Sequence, residues 1–283
     1  MKSITCVVDN TVSAGSKCWG EHGLAFLIET DAGRVLFDTG ASGTVLLHNL
    51  EALDVAPETL DALVISHAHY DHSGGLPALL PHLHPDTPLY AHSDLFRPRY
   101  ARRAPDAEPV SIGLPFEPEL FQGSVSVTLS SAPQSVAAQL WTTGEILSRA
   151  EPEGRSNSHG VFIEGAWRPD PYRDDMGLVA DLGDGLALIC GCCHAGLLNT
   201  LAHVQATFGH PVRVIIGGTH LGSASPAELH HVGEALAQMP ALERVYLNHC
   251  SGPGAYLALT TALGADVVRP LAAGERLDAT FRE

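Results

Sequence analysis

Lysine is nearly missing from this sequence: only Lys2 and Lys17 occur, and 16 Lys plus Arg face 32 Asp plus Glu, for a formal net charge of −16. With no broad basic face to displace counterions from phosphates, nucleic acid is excluded as the expected partner. Long apolar runs are also missing. The longest, such as LALIC from Leu186, are strand-sized, far short of the roughly 18 residues a membrane span needs. The N-terminal MKSITCVVDN is too short and too interrupted for a secretory apolar segment, so a cytoplasmic protein is expected. No tandem repeat of fixed period occurs, and 28 Gly with 19 Pro in 283 residues fall below the level that marks low complexity, which excludes fibre and disorder. Neither a G-x-S-x-G elbow nor a G-x-x-x-x-G-K-[ST] loop is found, which removes support for a serine hydrolase or a nucleoside-triphosphate reader. Disulfide-like cysteine spacing is absent too. Cys6, Cys18, Cys190, Cys192, Cys193 and Cys250 include four that end strands beside histidines, and reduced thiols are expected. Cys190 and Cys193 form a C-x-x-C without a thioredoxin-like context.

What is present is an ordinary globular composition, 45% hydrophobic and 17% charged. A chain of this length can bury about 75% of its unfolded surface, and a single domain over residues 1–283 is expected. Strand-like runs begin at Ser3 (SITCVV), Leu24 (LAFLIE), Arg34 (RVLFD) and Ala62 (ALVIS), with a helix between the last two carrying Val45, Leu46, Leu50 and Leu53 at three- and four-residue spacing. From about 81 to 175 prolines interrupt the pattern, leaving a loop-rich segment with the short β-like pieces VSVTLS and GVFIE. Regularity returns with LALIC, a helix bearing Leu198, Leu201, Val204 and Phe208, and the strand VRVII from Val212. Ser225, Pro226 and Glu228 match a capping box, RVYLN follows, and a helix near Tyr256 to Leu263 with DVVRP closes the chain. The class is α/β, with a sheet covered on both faces.

Sixteen histidines outnumber the fourteen arginines. Four buried strands end in one: VISH at His67, ICGCCH at His194, IIGGTH at His220 and YLNH at His249. The carboxyl ends of strands in layered α/β folds gather at one crevice, so these imidazoles can converge on a metal. The sharpest local signal is SHAHYDHSGG, with His67, His69, Asp71 and His72 within six residues. His67 and His69 at two-residue spacing can face one ion while Asp71 and His72 turn to a second, and such donors suit zinc, iron or manganese. Gly74 and Gly75 permit the tight turn that follows.

HAHYDH resembles the H-x-H-x-D-H signature of the metallo-β-lactamase fold, and VLFDTG from Val35 resembles its preceding strand and turn. EHGLAFLIE from Glu21, TTGEI from Thr142, GCCHAG from Gly191, IIGGTHL from Ile215 and NHCSG from Asn248 narrow the likeness. Together they resemble the subfamily named for dihydropterin-methyl ribofuranosylaminobenzene phosphate synthase, of methanopterin-type pathways, over nearly the whole chain. The resemblance implies an αββα sandwich of two mixed sheets with outer helices and a one- or two-metal site at the sheet edge. It makes His67, His69, His72 and His249 metal ligands, His194 a fifth, and Asp71 either a ligand or the group that orients an attacking water. Two departures stand out. No P-G-H segment supplies the usual middle histidine, and Gly191–Cys192 replaces the Gly-Asp of the bridging carboxylate, so Cys192 either bridges as a thiolate or packs.

Asp38 has two readings, a turn-forming residue or an acceptor that steadies the histidine loop. His220 has three: ligand, substrate contact or core hydrogen bond. In RPRYARR, Arg97 and Arg99, with Arg102 and Arg103, either grip a substrate anion or form a solvated face. His22, His48, His82, His84, His92, His203, His210, His230 and His231 are expected on surfaces or helix faces, and His159 stays open. The expected activity is metal-assisted hydrolysis of a small anionic ester, lactone or phosphoester, with zinc first and manganese or iron as alternatives. A synthase or cyclohydrolase-like step on a pterin, and a non-catalytic metal-binding module with a closed site, are the competing expectations.

Overall fold

The computed structural model describes residues 1–104, 106–278 and 280–281. The chain runs β1 (Ser3–Val8), β2 (Ala25–Thr30), β3 (Gly33–Phe37), α1 (Gly43–Ala52), β4 (Ala62–Val64), the one-turn helices α2 (Tyr70–Ser73) and α3 (Leu76–Leu79), and β5 (Pro88–Ala91). Next come β6 (Tyr100–Ala101), β7 (Val110–Ser111), β8 (Ser126–Leu129), β9 (Ser135–Ala137), β10 (Leu140–Thr142), β11 (His159–Ile163) and β12 (Ala166–Pro169). The last part is β13 (Gly177–Asp181), β14 (Leu186–Cys190), α4 (Leu197–Phe208), β15 (Val212–Gly217), α5 (Pro226–Ala237), β16 (Arg244–Leu247), α6 (Gly252–Leu263), β17 (Val268–Pro270) and β18 (Arg276–Asp278).

Two seven-stranded sheets result, ordered β18-β1-β2-β3-β4-β5-β8 and β17-β16-β15-β14-β13-β10-β9. Both are mixed in the same sense: β18 to β3 pair antiparallel and β3 to β8 parallel, while β9 to β14 pair antiparallel and β14 to β17 parallel. Side-chain alternation sorts each strand between two layers. Phe26, Ile28, Phe37 and Val64 of the first sheet meet Leu178, Ile189, Val214 and Ile216 of the second in the central core. Their neighbours Leu27, Leu36 and Leu63 pack with Leu46 and Leu50 of α1, and Leu188, Ile215 and Val245 pack with Leu201, Val232 and Leu259 of α4, α5 and α6. The stack is αββα, helix layers outside and two sheets inside.

Helix starts follow local chemistry. Ser42 caps α1 by accepting from Val45 N–H, and Ser225 with Glu228 forms the reciprocal capping box of α5 behind Pro226. Three expectations are revised. ALVIS ladders only over Ala62–Val64, the last helix starts earlier at Gly252 behind Ser251, and the loop-rich segment contains a third, four-stranded antiparallel sheet ordered β12-β11-β6-β7. Of its strands only β11 matches an expected piece, GVFIE, and β6 and β7, of two residues each, are too short for periodicity to register.

Candidate metal centre

The site lies where chain segments leave the carboxyl ends of β3, β4, β14, β15 and β16. Four of the nonglycine residues with positive φ sit there: Asp38 (61°), Cys193 (56°), His220 (50°) and His249 (49°). Left-handed backbone is costly for such residues and persists where surrounding contacts over-determine it, as they do here. Glycine is needed where a neighbouring segment presses against the backbone. A Cβ on Gly75 would lie 2.2 Å from the Thr39 carbonyl oxygen, and one on Gly191 would lie 2.3 Å from Ser66 Oγ.

His67, His69, Asp71, His72, Cys192, His194 and His249 are all buried; all but His69 fall in groups of close donors, and His69, expected to share an ion with His67, sits beside it outside those groups. Donor atoms of His67, Cys192 and His194 lie within 4.8 Å of one another, as do those of His72, Cys192 and His249. Cys192 is therefore common to both groups, with Sγ 3.2 Å from His72 Nε2. His72 Nε2 is 3.2 Å from His249 Nε2, and His67 Nε2 is 3.0 Å from His69 Nδ1. Asp71 Oδ2 sits 3.5 Å from His249 Nε2 and 3.9 Å from His72 Nε2.

These residues fit a cation on two observations. His69 Nε2 and His194 Nε2 are buried with no hydrogen-bond partner among the described residues, a costly arrangement unless something accepts their lone pairs. Burial, reinforced by neighbouring positive groups, holds His67, His194 and His249 well below the usual imidazole range, and burial does the same to His69. They are neutral, the form that ligates metal. His72 alone goes the other way: burial opposes its charge, but Asp38 and Asp71 outweigh that and raise it to about 9. Asp71 feels burial too, and His72, His22 and His249 nonetheless hold its carboxyl well below the ordinary value. The centre is thus a negative pocket that holds positive charge.

The surrounding contacts fix the rings. Asp38 accepts from Ser66 N–H and Ser66 Oγ–H, both at 2.7 Å, and lies 2.7 Å from His72 Nδ1. Because a carboxylate only accepts, Nδ1 carries the hydrogen and Nε2 faces the centre. The same logic applies to His194, whose Nδ1 is 3.0 Å from the Gly154 carbonyl, and Tyr172 stacks on its ring at 4.2 Å and 7°. His249 N–H donates to Asp9 at 2.8 Å, and its Nδ1 is 3.0 Å from Asn10 Oδ1.

His220 stands beside this set, its ring 4.2 Å from that of His194 and its pKa lowered to about 4 by burial. It belongs to neither donor group that includes Cys192. His22 is exposed, as expected, and from the surface it places Nε2 3.1 Å from Asp71 Oδ2, forming with Asp71 and His249 a third group of close donors. The irregular segment before β2 brings it there, since Leu24 N–H donates to the Asp71 carbonyl. His159 contacts the site from β11, 5.3 Å from His69 ring to ring, with Nδ1 2.9 Å from Tyr172 Oη. His92 is buried against Glu145 rather than exposed, because β5 ends in the interior at that point. Arg99 corrects the anion-gripping expectation: it is fully buried, with Nη2 2.6 Å from Asp174, Nε 3.2 Å from Asp170 and Nη2 3.2 Å from Asp94. Arg97 stays near the surface and pairs with Asp94 at 2.7 Å.

A layered αββα frame with histidines, a carboxylate and a thiol at the parallel strand ends defines a class, and comparison agrees: residues 19–188 match the metallo-β-lactamase superfamily model. The chain belongs to the metallo-β-lactamase superfamily. It is 26% identical to a 7,8-dihydropterin-6-methyl-4-(β-D-ribofuranosyl)-aminobenzene-5′-phosphate synthase of Methanocaldococcus jannaschii over 88% of this chain and 87% of that protein. An uncharacterised protein of the same organism is 29% identical over 81% and 83%. Among solved structures, a metal-dependent hydrolase of the β-lactamase superfamily superposes with a TM-score of 0.82 at 23% identity, covering 98% of both chains. Zinc-bound PqqB of Methylobacterium extorquens gives a TM-score of 0.56 at 11% identity, covering 98% of this chain and 99% of that one. The described residues include no helix long and apolar enough to cross a membrane.

Proposed function

We propose that this chain is a cytoplasmic metal-dependent hydrolase of a small anionic ester, lactone or phosphoester, with zinc as its ion, one or two per chain. The observation that carries the reading is the sharing of Cys192 between two buried histidine pairs, His67 with His194 and His72 with His249. A divalent cation held by these residues supplies Lewis acidity, polarising a substrate oxygen and bringing the pKa of a water towards 7. The chain's own groups do the rest. Asp71 remains a carboxylate at neutral pH, and its Oδ2 between His22 and His249 is placed to hold and orient a nucleophile's proton. Asp38 and the Gly154 carbonyl fix the tautomers of His72 and His194. Tyr172, stacked on His194, excludes water from that flank, while half-exposed His22 leaves an open side for substrate.

The test is metal content per chain by plasma mass spectrometry for the wild type, His69→Ala and Asp71→Ala, followed by turnover of phosphodiester and lactone substrates. About two ions falling to one or none in the variants, with turnover of either substrate, supports the reading. No metal bound after reconstitution with zinc, manganese and ferrous iron overturns it.

A second reading has its own observation. The relative spanning 88% of this chain is named as a dihydropterin-class synthase, which favours a synthase or cyclohydrolase-like step on a pterin precursor at the same centre. Conversion of such a precursor, with generic esters inert, would select it.

A further inference from the structure

Residues 170–176 contact both ligand loops, and those loops leave different sheets. Asp174 Oδ2 accepts from Ala68 N–H at 2.8 Å, between His67 and His69. The next residue, Asp175, accepts from Ala195 N–H at 2.8 Å, directly after His194. Met176 N–H donates to the Ser66 carbonyl at 3.0 Å, and two residues before Asp174 the Tyr172 ring covers His194. The segment is itself anchored. Arg149 donates to the Pro171 and Tyr172 carbonyls at 2.8 Å each, Asp170 accepts from Tyr172 N–H at 2.8 Å, and Arg99 pairs with Asp174. Asp174 and Asp175 are both buried, so neither carboxylate is spent on solvent.

The other half of the centre has its own direct supports. His72 is held by Asp38, and His249 by Asp9 and Asn10, and none of the three bonds directly to residues 170–176; Ser66 links the halves, its carbonyl accepting from Met176 N–H while its N–H and Oγ–H go to Asp38.

We infer that Asp174 and Asp175 are paired positioning residues: one short strut that sets the gap between the His67/His69 loop and the His194 loop, and so tunes the metal position bounded by His67, Cys192 and His194 while leaving the His72/Cys192/His249 position alone. The inference rests on the metal reading above. It is one of placement, because both carboxylates act through backbone N–H groups of residues adjacent to donors and neither belongs to a close donor group. Outer partners of metal ligands are commonly worth 10–100-fold in affinity. Asparagine at either position keeps an acceptor oxygen of the right reach, whereas alanine does not.

The experiment titrates zinc against a chromophoric chelator, and cobalt by visible absorption, in the wild type, Asp174→Ala, Asp175→Ala and both asparagine variants. His194→Ala and His249→Ala serve as references for the two positions. Each alanine variant is expected to weaken one ion by about 10–100-fold, leave the other within about threefold, and give a cobalt difference spectrum matching that of His194→Ala. Asparagine is expected to restore most of the loss. Circular dichroism checks folding, and the asparagine pair carries the comparison if an alanine variant does not fold. Equal weakening of both ions, a difference spectrum matching His249→Ala, unchanged titrations, or asparagine as damaging as alanine each overturns the strut. A wild type that binds no ion overturns the metal reading instead, which keeps the two failures distinct.

Discussion

Replacing Arg99 by methionine is expected to cost stability in a pH-dependent way that the buried pairing dictates. Arg99 is wholly inside the protein against Asp170 and Asp174, themselves buried. Methionine keeps much of the apolar stem, so the cavity contribution is small, and the loss is dominated by two carboxylates left without their cation. Breaking a buried pair in this way costs about 3–5 kcal/mol. Burial already raises Asp174 to about 6 even with Arg99 present, and without it the carboxyl rises further. A carboxyl whose folded pKa exceeds its unfolded value near 4 binds more protons in the folded state between the two values, so stability falls as pH rises through that window. The window runs from about 4 to 6 in the wild type and reaches higher in the variant. Below pH 6 wild type and variant change in parallel, so the deficit at pH 7 shrinks at pH 5 by about 1.4 kcal/mol, the one pH unit above 6 in which only the variant still binds the proton. Urea unfolding at both pH values, followed by fluorescence and far-ultraviolet circular dichroism, measures it, with a midpoint drop of about 1–2 M at pH 7 for a slope near 3 kcal/mol/M. Arg97→Met, which breaks a part-exposed pair, stays within about 1 kcal/mol. A deficit below 1 kcal/mol at pH 7, or one equal at both pH values, would refute the reasoning.

Three further outcomes follow from other contacts. Asp38→Ala strips the acceptor from Ser66 N–H and His72 Nδ1 and should weaken zinc binding by about 10–100-fold in a chelator titration, an effect largely absent in Ser225→Ala, which removes the side-chain cap at the start of α5. Gly191→Ala drives a Cβ into Ser66 and should lower stability by about 1–3 kcal/mol in thermal melts, with recovery in the Gly191→Ala, Ser66→Gly double variant. Ile216→Ala, in the core between the sheets, should cost about 2–5 kcal/mol while the protein that remains folded keeps its wild-type metal content by mass spectrometry.

The frame was legible because its strands are short continuous apolar runs, and the His67–His72 cluster because it is compressed into six residues. His194 and His249 could be read from their position after such runs. What escaped notice depends on contacts between distant segments. His22 precedes β2 in chain that has no periodicity, and it reaches Asp71 only because the two backbones are hydrogen-bonded at Leu24. Asp174 and Asp175 lie at the end of a proline-broken stretch, and nothing local marks them as partners of Ala68 and Ala195. Arg99 misled for the same reason: among four arginines in seven residues, the one drawn inward is chosen by carboxylates some seventy positions later. Charge clustering reports composition along the chain, and only packing says which member of the cluster is withdrawn from water.

The division of donors between the two sheets also sets when an ion can act. His72 is 120 positions from Cys192 and 177 from His249, so the pocket exists only after both sheets have formed and packed face to face. Bonds that must wait for such closure contribute little while the chain is still organising. They act as a rivet set after assembly, raising the barrier to coming apart without hastening the approach. Loading the centre should thus lengthen the lifetime of the folded chain, and a chelator should shorten it, while the refolding rate barely changes.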